Sequence, residues 1–256
     1  MEYVKHEIQI EHNVKIKVYS DGTTKSTCCN KPIFKEKGYV PVLDLNRTNE
    51  KRTYNTDNIS RSDSIKRAKD RVFDIAKLNE FKYFVTLTLD IEKIESRYDS
   101  NLVSEKLQTW LKNMVSRKGL VYLLIPEHHK DGAIHMHMLC SGKLSLVDTG
   151  KRTKEGKLIY NLKDWKYGFS TVIEITGNSE NISKYVVKYI TKDSEKIFGK
   201  FYYSGGKGLQ KEPKIVYADV DFEAFAYLKQ YEIENAGLCF CYPSVDDLKG
   251  VFENDL

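Results

Sequence analysis

The 256-residue sequence has no apolar run of about eighteen residues, so no helix of it is expected to span a bilayer. Its opening, Met1–His6, lacks the apolar core of a signal peptide, and a cytoplasmic location is expected. Cysteine is sparse: the five present show no CxxC spacing, which argues against a zinc ribbon and a disulfide framework. Cys28-Cys29 and Cys239-Phe240-Cys241 read as reduced thiols. There is no internal repeat and no GxxxxGK[ST] phosphate loop; Gly205-Gly206-Lys207-Gly208 has the wrong spacing for one, so no NTPase is expected. Neither sign of charge dominates, with 41 Lys and Arg against 36 Asp and Glu. The charge is nevertheless unevenly placed. Residues 183–214 hold eight lysines and three acids, whereas residues 215–256 hold two lysines and nine acids. A basic stretch beside an acidic tail points to one side that faces a polyanion.

What is present reads as strands and helices in mixture. Ile8, Ile10, Val14, Ile16 and Val18 alternate as a short strand pair around Glu11-His12-Asn13, and Tyr39–Leu45 is a further strand. Residues 46–58 are polar and form the best linker candidate. Ser60 or Ser62 caps a helix to about Leu78, with Ile65, Ala68, Val72, Ile75 and Ala76 on its buried face. Phe81–Leu89 is a strong strand, with Val85, Leu87 and Leu89 on one face and Phe84, Thr86 and Thr88 on the other. An amphipathic helix over 102–117 follows, then strands at 120–126 and 133–140. Residues 141–167 form a loop or small hairpin, 168–175 a strand, and a helix capped by Asn178 or Ser179 runs to about Lys192. Phe222–Ile233 reads as a final helix. The expected organisation is an accessory segment 1–58, a core 59–205, and an extension 206–256 with an acidic helix. The order of elements is compatible with a split β-α-β arrangement in the α+β class.

The stretch Pro126-Glu127-His128-His129-Lys130-Asp131-Gly132-Ala133-Ile134-His135-Met136-His137 is the most informative. Asp131-Gly132 marks a turn between two strands. Side chains alternate along a strand, so Ile134, Met136 and Met138 enter a core while His135 and His137 share the opposite face. Two imidazoles on one strand face make half of a metal site. A two-residue turn would pair His128 with His135; a three-residue loop with Gly132 in the left-handed position would pair Glu127 with His135. A carboxylate with two imidazoles suits Mg²⁺ or Mn²⁺. Glu127 is the preferred third ligand, with His128 and His129 as alternatives.

A second motif lies at Tyr185-Val186-Val187-Lys188-Tyr189-Ile190-Thr191-Lys192. Tyr185 and Tyr189 fall one helical turn apart, and Lys188 and Lys192 each follow a tyrosine by three residues on that same side. Lysines 184, 188, 192, 196 and 200 recur every four residues, as a stripe along a helix would. Tyrosine has a pKa of about 10, so as a nucleophile it needs a cation beside it. A tyrosine pair alone is most often a half-buried aromatic pair. With a metal site upstream, the two motifs are the equipment of phosphodiester transesterification.

In that order and spacing the chain resembles the HUH endonucleases, most of all rolling-circle replication initiators of bacterial phages and plasmids. Phe84–Leu89 is similar to the family's first motif, Pro126–His137 to the metal strand, and Tyr185–Lys192 to the nucleophile motif. The resemblance implies a central antiparallel sheet with flanking helices, of ferredoxin or RNA-recognition type. It implies a metal-dependent nick in single-stranded DNA at a replication origin, giving a 5′-phosphotyrosine link and a free 3′-OH, with later rejoining. Tyr185 and Tyr189 would be the nucleophiles, Lys188 and Lys192 would bind phosphate or ease tyrosine deprotonation, and His135, His137 and Glu127 would hold Mg²⁺ or Mn²⁺. A host helicase and a host DNA polymerase in the bacterial cell would be the partners. A mobilisation relaxase or transposase, a non-catalytic nucleic-acid binder on the same scaffold, and a metallohydrolase using water are the competing readings.

Overall fold

The computed structural model describes residues 3–43, 61–129, 131–177, 179–190 and 196–254. In chain order the elements are β1 (Tyr3–His12), β2 (Val14–Val18), β3 (Thr24–Cys29), β4 (Phe34–Leu43), α1 (Arg61–Leu78), β5 (Tyr83–Leu89), α2 (Ser100–Lys118), β6 (Val121–His128) and β7 (Ile134–Ser141). They continue with β8 (Leu146–Arg152), β9 (Leu158–Leu162), β10 (Gly168–Glu174), α3 (Ser179–Val187), β11 (Tyr203–Gly205), β12 (Lys214–Ala218), β13 (Tyr231–Ile233), β14 (Leu238–Cys241) and α4 (Val245–Asn254). The class is α+β, with large antiparallel sheets and few helices. No helix among the described residues is long and apolar enough to cross a membrane. The expected linker 46–58, the caps Ser60 and Asn178, and Lys192 lie outside the described residues.

Two compact units emerge, one from residues 1–55 with 213–256, the other from 56–212. In the first, β12-β2-β3-β14-β13 form one sheet and β1-β4 another. Buried Val14, Cys28, Phe222, Phe225, Cys239, Cys241 and Leu248 make its core. All five cysteines of the chain are free and buried. Burial pushes the Cys28 thiol up to about 12. The expected pairing of residues 8–10 with 14–18 does not occur: β1 pairs with β4, and β2 with β3 and β12. A hairpin connection usually needs at least two loop residues, and only Asn13 separates β1 from β2. The Asn13 amide is taken up instead by Val220, at 2.7 Å to its carbonyl and 3.0 Å from its N–H. The expected helix 222–233 is also absent. Asp221 caps a short 3₁₀ turn, Phe222–Phe225, whose two phenylalanines are buried, and the chain then extends into β13. The helix of this region is α4, with Asp246 and Asp247 in its first turn.

The second unit is built on a seven-stranded sheet ordered β11-β6-β7-β5-β10-β9-β8, with every pair antiparallel. β7 lies between β5 and β6, which α2 connects, and this is the split β-α-β unit. Alternation sorts the strands into two faces. On one, Val85, Leu87, Met136, Met138, Leu124 and Val172 meet the α2 residues Val103, Leu107, Trp110, Leu111 and Met114. Burying each such α2 side chain contributes about 1.5–3 kcal/mol relative to exposure. Asp99 starts α2 by accepting from the N–H groups of Asn101 and Leu102 at 2.8 and 3.2 Å. On the other face, Leu123, Ile125 and Leu139 meet Val72, Ile75 and Ala76 of α1, Val186 of α3, and Ile190.

This second face is covered at one end and open at the other. The rung Ile173–Phe84–Leu139–Leu123 lies under helix, with both leucines fully buried. The next rung is Thr171–Thr86–His137–Ile125, and the last is Phe169–Thr88–His135–Glu127, all four partly or wholly exposed.

α3 ends at Val187 rather than near Lys192. Lys188, Tyr189 and Ile190 bond back to Tyr185, Val186 and Val187, a three-residue step that tightens the last turn. The run Val186-Val187-Lys188-Tyr189-Ile190 is poor in strong helix formers. Lys196 and Lys200 therefore do not continue a stripe along α3.

Gly168 sets how tightly β10 sits on β5. A Cβ there would strike the Thr88 carbonyl oxygen and come within 2.7 Å of the Asp90 nitrogen. Gly168→Ala should lower the unfolding free energy by about 3 kcal/mol. Denaturant titration followed by tryptophan fluorescence reads this, since Trp110 and Trp165 both lie in this unit; an unshifted midpoint would contradict the close approach.

Candidate active site

The β6–β7 hairpin closes through His129 N–H to the Ala133 carbonyl and Gly132 N–H to the His129 carbonyl, each 2.8 Å. Gly132 has φ +84°, a conformation that costs glycine little and other residues much. The resulting register sets Glu127 opposite His135 and His128 opposite Ile134. His128 thus belongs to the other face, and its Nδ1 lies 3.1 Å from the Gly132 carbonyl. The hairpin tip is held from outside as well. Arg97 reaches Asp131 at 2.9 Å, and Asp131 accepts the Ala133 N–H at 3.0 Å. These contacts lower the Asp131 carboxyl, the Ala133 bond most of all.

His137 is 8 % exposed and engaged on every side. Its Nε2 lies 2.7 Å from Glu127 Oε1 and its Nδ1 3.3 Å from the Thr86 hydroxyl. The Tyr189 ring stacks on it at 3.7 Å between centroids, and Phe84 at 5.9 Å. Phe84 also meets Tyr185 edge-on at 5.5 Å. His135 stacks on His129 at 4.7 Å. Burial pulls the His135 imidazole below its ordinary value; the charges of His129 and His137 add to this, and Glu127 and Asp131 oppose it.

The two tyrosines converge on this cluster from the end of α3. Tyr189 donates its hydroxyl proton to the Tyr185 oxygen at 2.8 Å. Burial first, then Tyr185, then the charge of Glu127, push the Tyr189 phenol well above the ordinary tyrosine range. Tyr185 is 44 % exposed, and the Lys188 ammonium stands 5.9 Å from its ring centre. α3 is tied to α1 by Lys77, whose buried ammonium lies 3.8 Å from Glu180; Glu180 also bonds Lys184 at 2.6 Å.

The expected site residues Glu127, His135, His137, Tyr185 and Tyr189 therefore share one face, with Lys188 at its margin. The metal question is narrower. Among the described residues, no group of three His, Cys, Asp or Glu side chains is arranged to hold an ion. The donor types suit a hard or borderline divalent cation. As placed, however, Glu127 is spent on His137 and His135 on His129. A metal at these donors would have to displace the Glu127–His137 hydrogen bond. Two features lay outside the sequence reading: the packing of Phe84 under both tyrosines, and the Arg97 clamp on the hairpin. Phe84 carried a signal, since it shares the strand face of Thr86 and Thr88.

Residues 82–194 match a family model for replication-associated proteins of the ORF2 type. The match agrees with the rolling-circle initiators that the motifs resemble, and it takes in β5, the histidine hairpin and both tyrosines. Comparison with curated proteins and with solved structures finds no match.

In the metal-free protein, His129→Ala should raise the His135 pKa without restoring it fully, because burial is the larger cause. Imidazole NMR titration checks the sign. A pKa that stays put or falls would mean that the two rings do not sense one another.

Proposed function

From the replication-associated match over residues 82–194, we propose that this protein initiates rolling-circle replication by nicking single-stranded origin DNA with a tyrosine. The observation that carries the reading is the stacking of Tyr189 on His137 at 3.7 Å, with the Tyr189 hydroxyl bonded to Tyr185 on the face that also bears Glu127 and His135. Tyr185 attacks. Its oxygen accepts the Tyr189 proton, so the phenolate that forms keeps a hydrogen bond, and Lys188 stands beside it. The Tyr185 oxygen bonds to phosphorus while the bond from phosphorus to the 3′ oxygen breaks. The products are a 5′-phosphotyrosine and a 3′-hydroxyl, which takes up a proton. The number of phosphoester bonds is conserved, so attack by a 3′-hydroxyl reverses the step and rejoins the ends.

Glu127, His135 and His137 would hold Mg²⁺ or Mn²⁺, which as a Lewis acid offsets charge on the non-bridging phosphate oxygens. Phe84 and Thr86 fix the ring of His137, and α1 with Lys77 fixes the start of α3. Lys192 would bind phosphate. With no phosphate loop in the sequence, strand opening falls to a host helicase and extension of the 3′-hydroxyl to a host polymerase.

The test is an adduct that survives SDS after incubation with single-stranded origin DNA and Mn²⁺. Tyr185→Phe should abolish it, Tyr189→Phe should slow it, and His135→Ala with His137→Ala should remove its metal dependence. An adduct retained in the double Tyr185→Phe, Tyr189→Phe variant would move the nucleophile elsewhere. Loss in Tyr189→Phe alone would exchange the two roles.

A further inference from the structure

Phe169 is the least expected residue of the open rung. It lies on β10, at a position where alternation sends it to the face of the histidines, and it is 65 % exposed. Large apolar side chains in mid-strand are ordinarily covered by a helix or a second sheet. Here α1 and α3 cover the far end of this face and stop short of the last rung. Phe169 sits directly across from Thr88, and Thr88 directly across from His135, so the aromatic ring is in register with the histidine–carboxylate cluster. Its position is not adjustable, because Gly168 has no room for a Cβ against β5. The Lys93 ammonium stands 5.4 Å from the ring centre, which puts a cation where a phosphate would flank a stacked base.

We propose that Phe169, with Lys93, forms a nucleobase-stacking subsite for single-stranded DNA, beside the site where the strand is cut. It rests on the nicking reading for its ligand. Two strand spacings separate Phe169 from His135, about 10 Å. At about 3.4 Å per stacked nucleotide, the base held on Phe169 lies within about three nucleotides of the phosphate at His135. Every base has a π face, so the subsite orients the strand without reading its sequence. The ring takes the base and the lysine takes the phosphate, as on other single-strand platforms.

Phe169→Trp turns the ring into a reporter, because the native Trp110 and Trp165 are both buried. Titration of this variant with oligodeoxythymidylate should quench the added indole, while an abasic oligomer of the same length, with equal phosphates and no bases, should not. Phe169→Ala should weaken oligodeoxythymidylate binding about tenfold and leave thermal unfolding unchanged, whereas a purely structural role would lower the melting temperature. Equal quenching by the abasic oligomer, no quenching by either, or unaltered affinity of Phe169→Ala would overturn the subsite. The unaltered protein is assayed in parallel for an SDS-resistant adduct with a random-sequence single-stranded pool and Mn²⁺. An adduct without base-dependent quenching overturns the subsite and supports nicking. Quenching without any adduct supports base binding and overturns the nicking reading.

Discussion

A slip of one residue between β6 and β7 would turn His135 and His137 into the apolar layer and bring Met136 and Met138 out of it. Nothing else on this face has meaning without that register. The three-residue turn around Gly132 sets it locally, and Met136 and Met138, both fully buried against the α2 layer, enforce it from the other side. Exposing two such side chains would cost on the order of 3–6 kcal/mol. The polar face is therefore held in place by the apolar one. The Arg97–Asp131 pair steadies the tip, and as a surface ion pair it is the lesser contribution.

The same sheet creates a graded environment across three rungs. Leu139 and Leu123 lie dry beneath the helices, His137 is nearly so, and His135 and Glu127 reach solvent. That gradient explains the electrostatics. Tyr189 is half-buried beside a carboxylate and a second phenol, so its phenolate is disfavoured. Tyr185, one turn earlier, stands further out with a lysine near its ring. A strand laid over the open rung meets donors, hydroxyls and an aromatic ring in succession, which is the basis of the proposed chemistry.

The helix that delivers the tyrosines is short, and its shortness places their rings. Because α3 gives way to tight turns after Val187, Tyr189 leaves the regular helical path and its ring can lie flat on His137. The interplanar angle between the two tyrosines is 84°, so they meet edge to face. Spacing alone put them on one side; the change of backbone gave them different neighbours.

Much of this was legible in residue order. Period-two alternation in Val85–Leu89 and Ile134–Cys140 assigned faces correctly, because each strand is buried hard on one side and the apolar residues record it. The cap at Asp99 and the apolar stripe of α2 likewise follow from local chemistry. What residue order left open was pairing across distance. Asn13 bonds Val220, β2 lies against β12, and Phe222 and Phe225 fill a core with Val14 and Cys28, although some two hundred residues separate them. Local propensity holds no record of such partners, so Phe222–Ile233 looked helical until tertiary burial decided otherwise. The sequence by itself determined which side chains share a face. Only the tertiary structure decided which face meets which, and hence that Glu127 bonds His137, that Tyr189 stacks on it, and that Phe169 stands uncovered beside them, because those outcomes depend on strand order and helix length rather than on spacing.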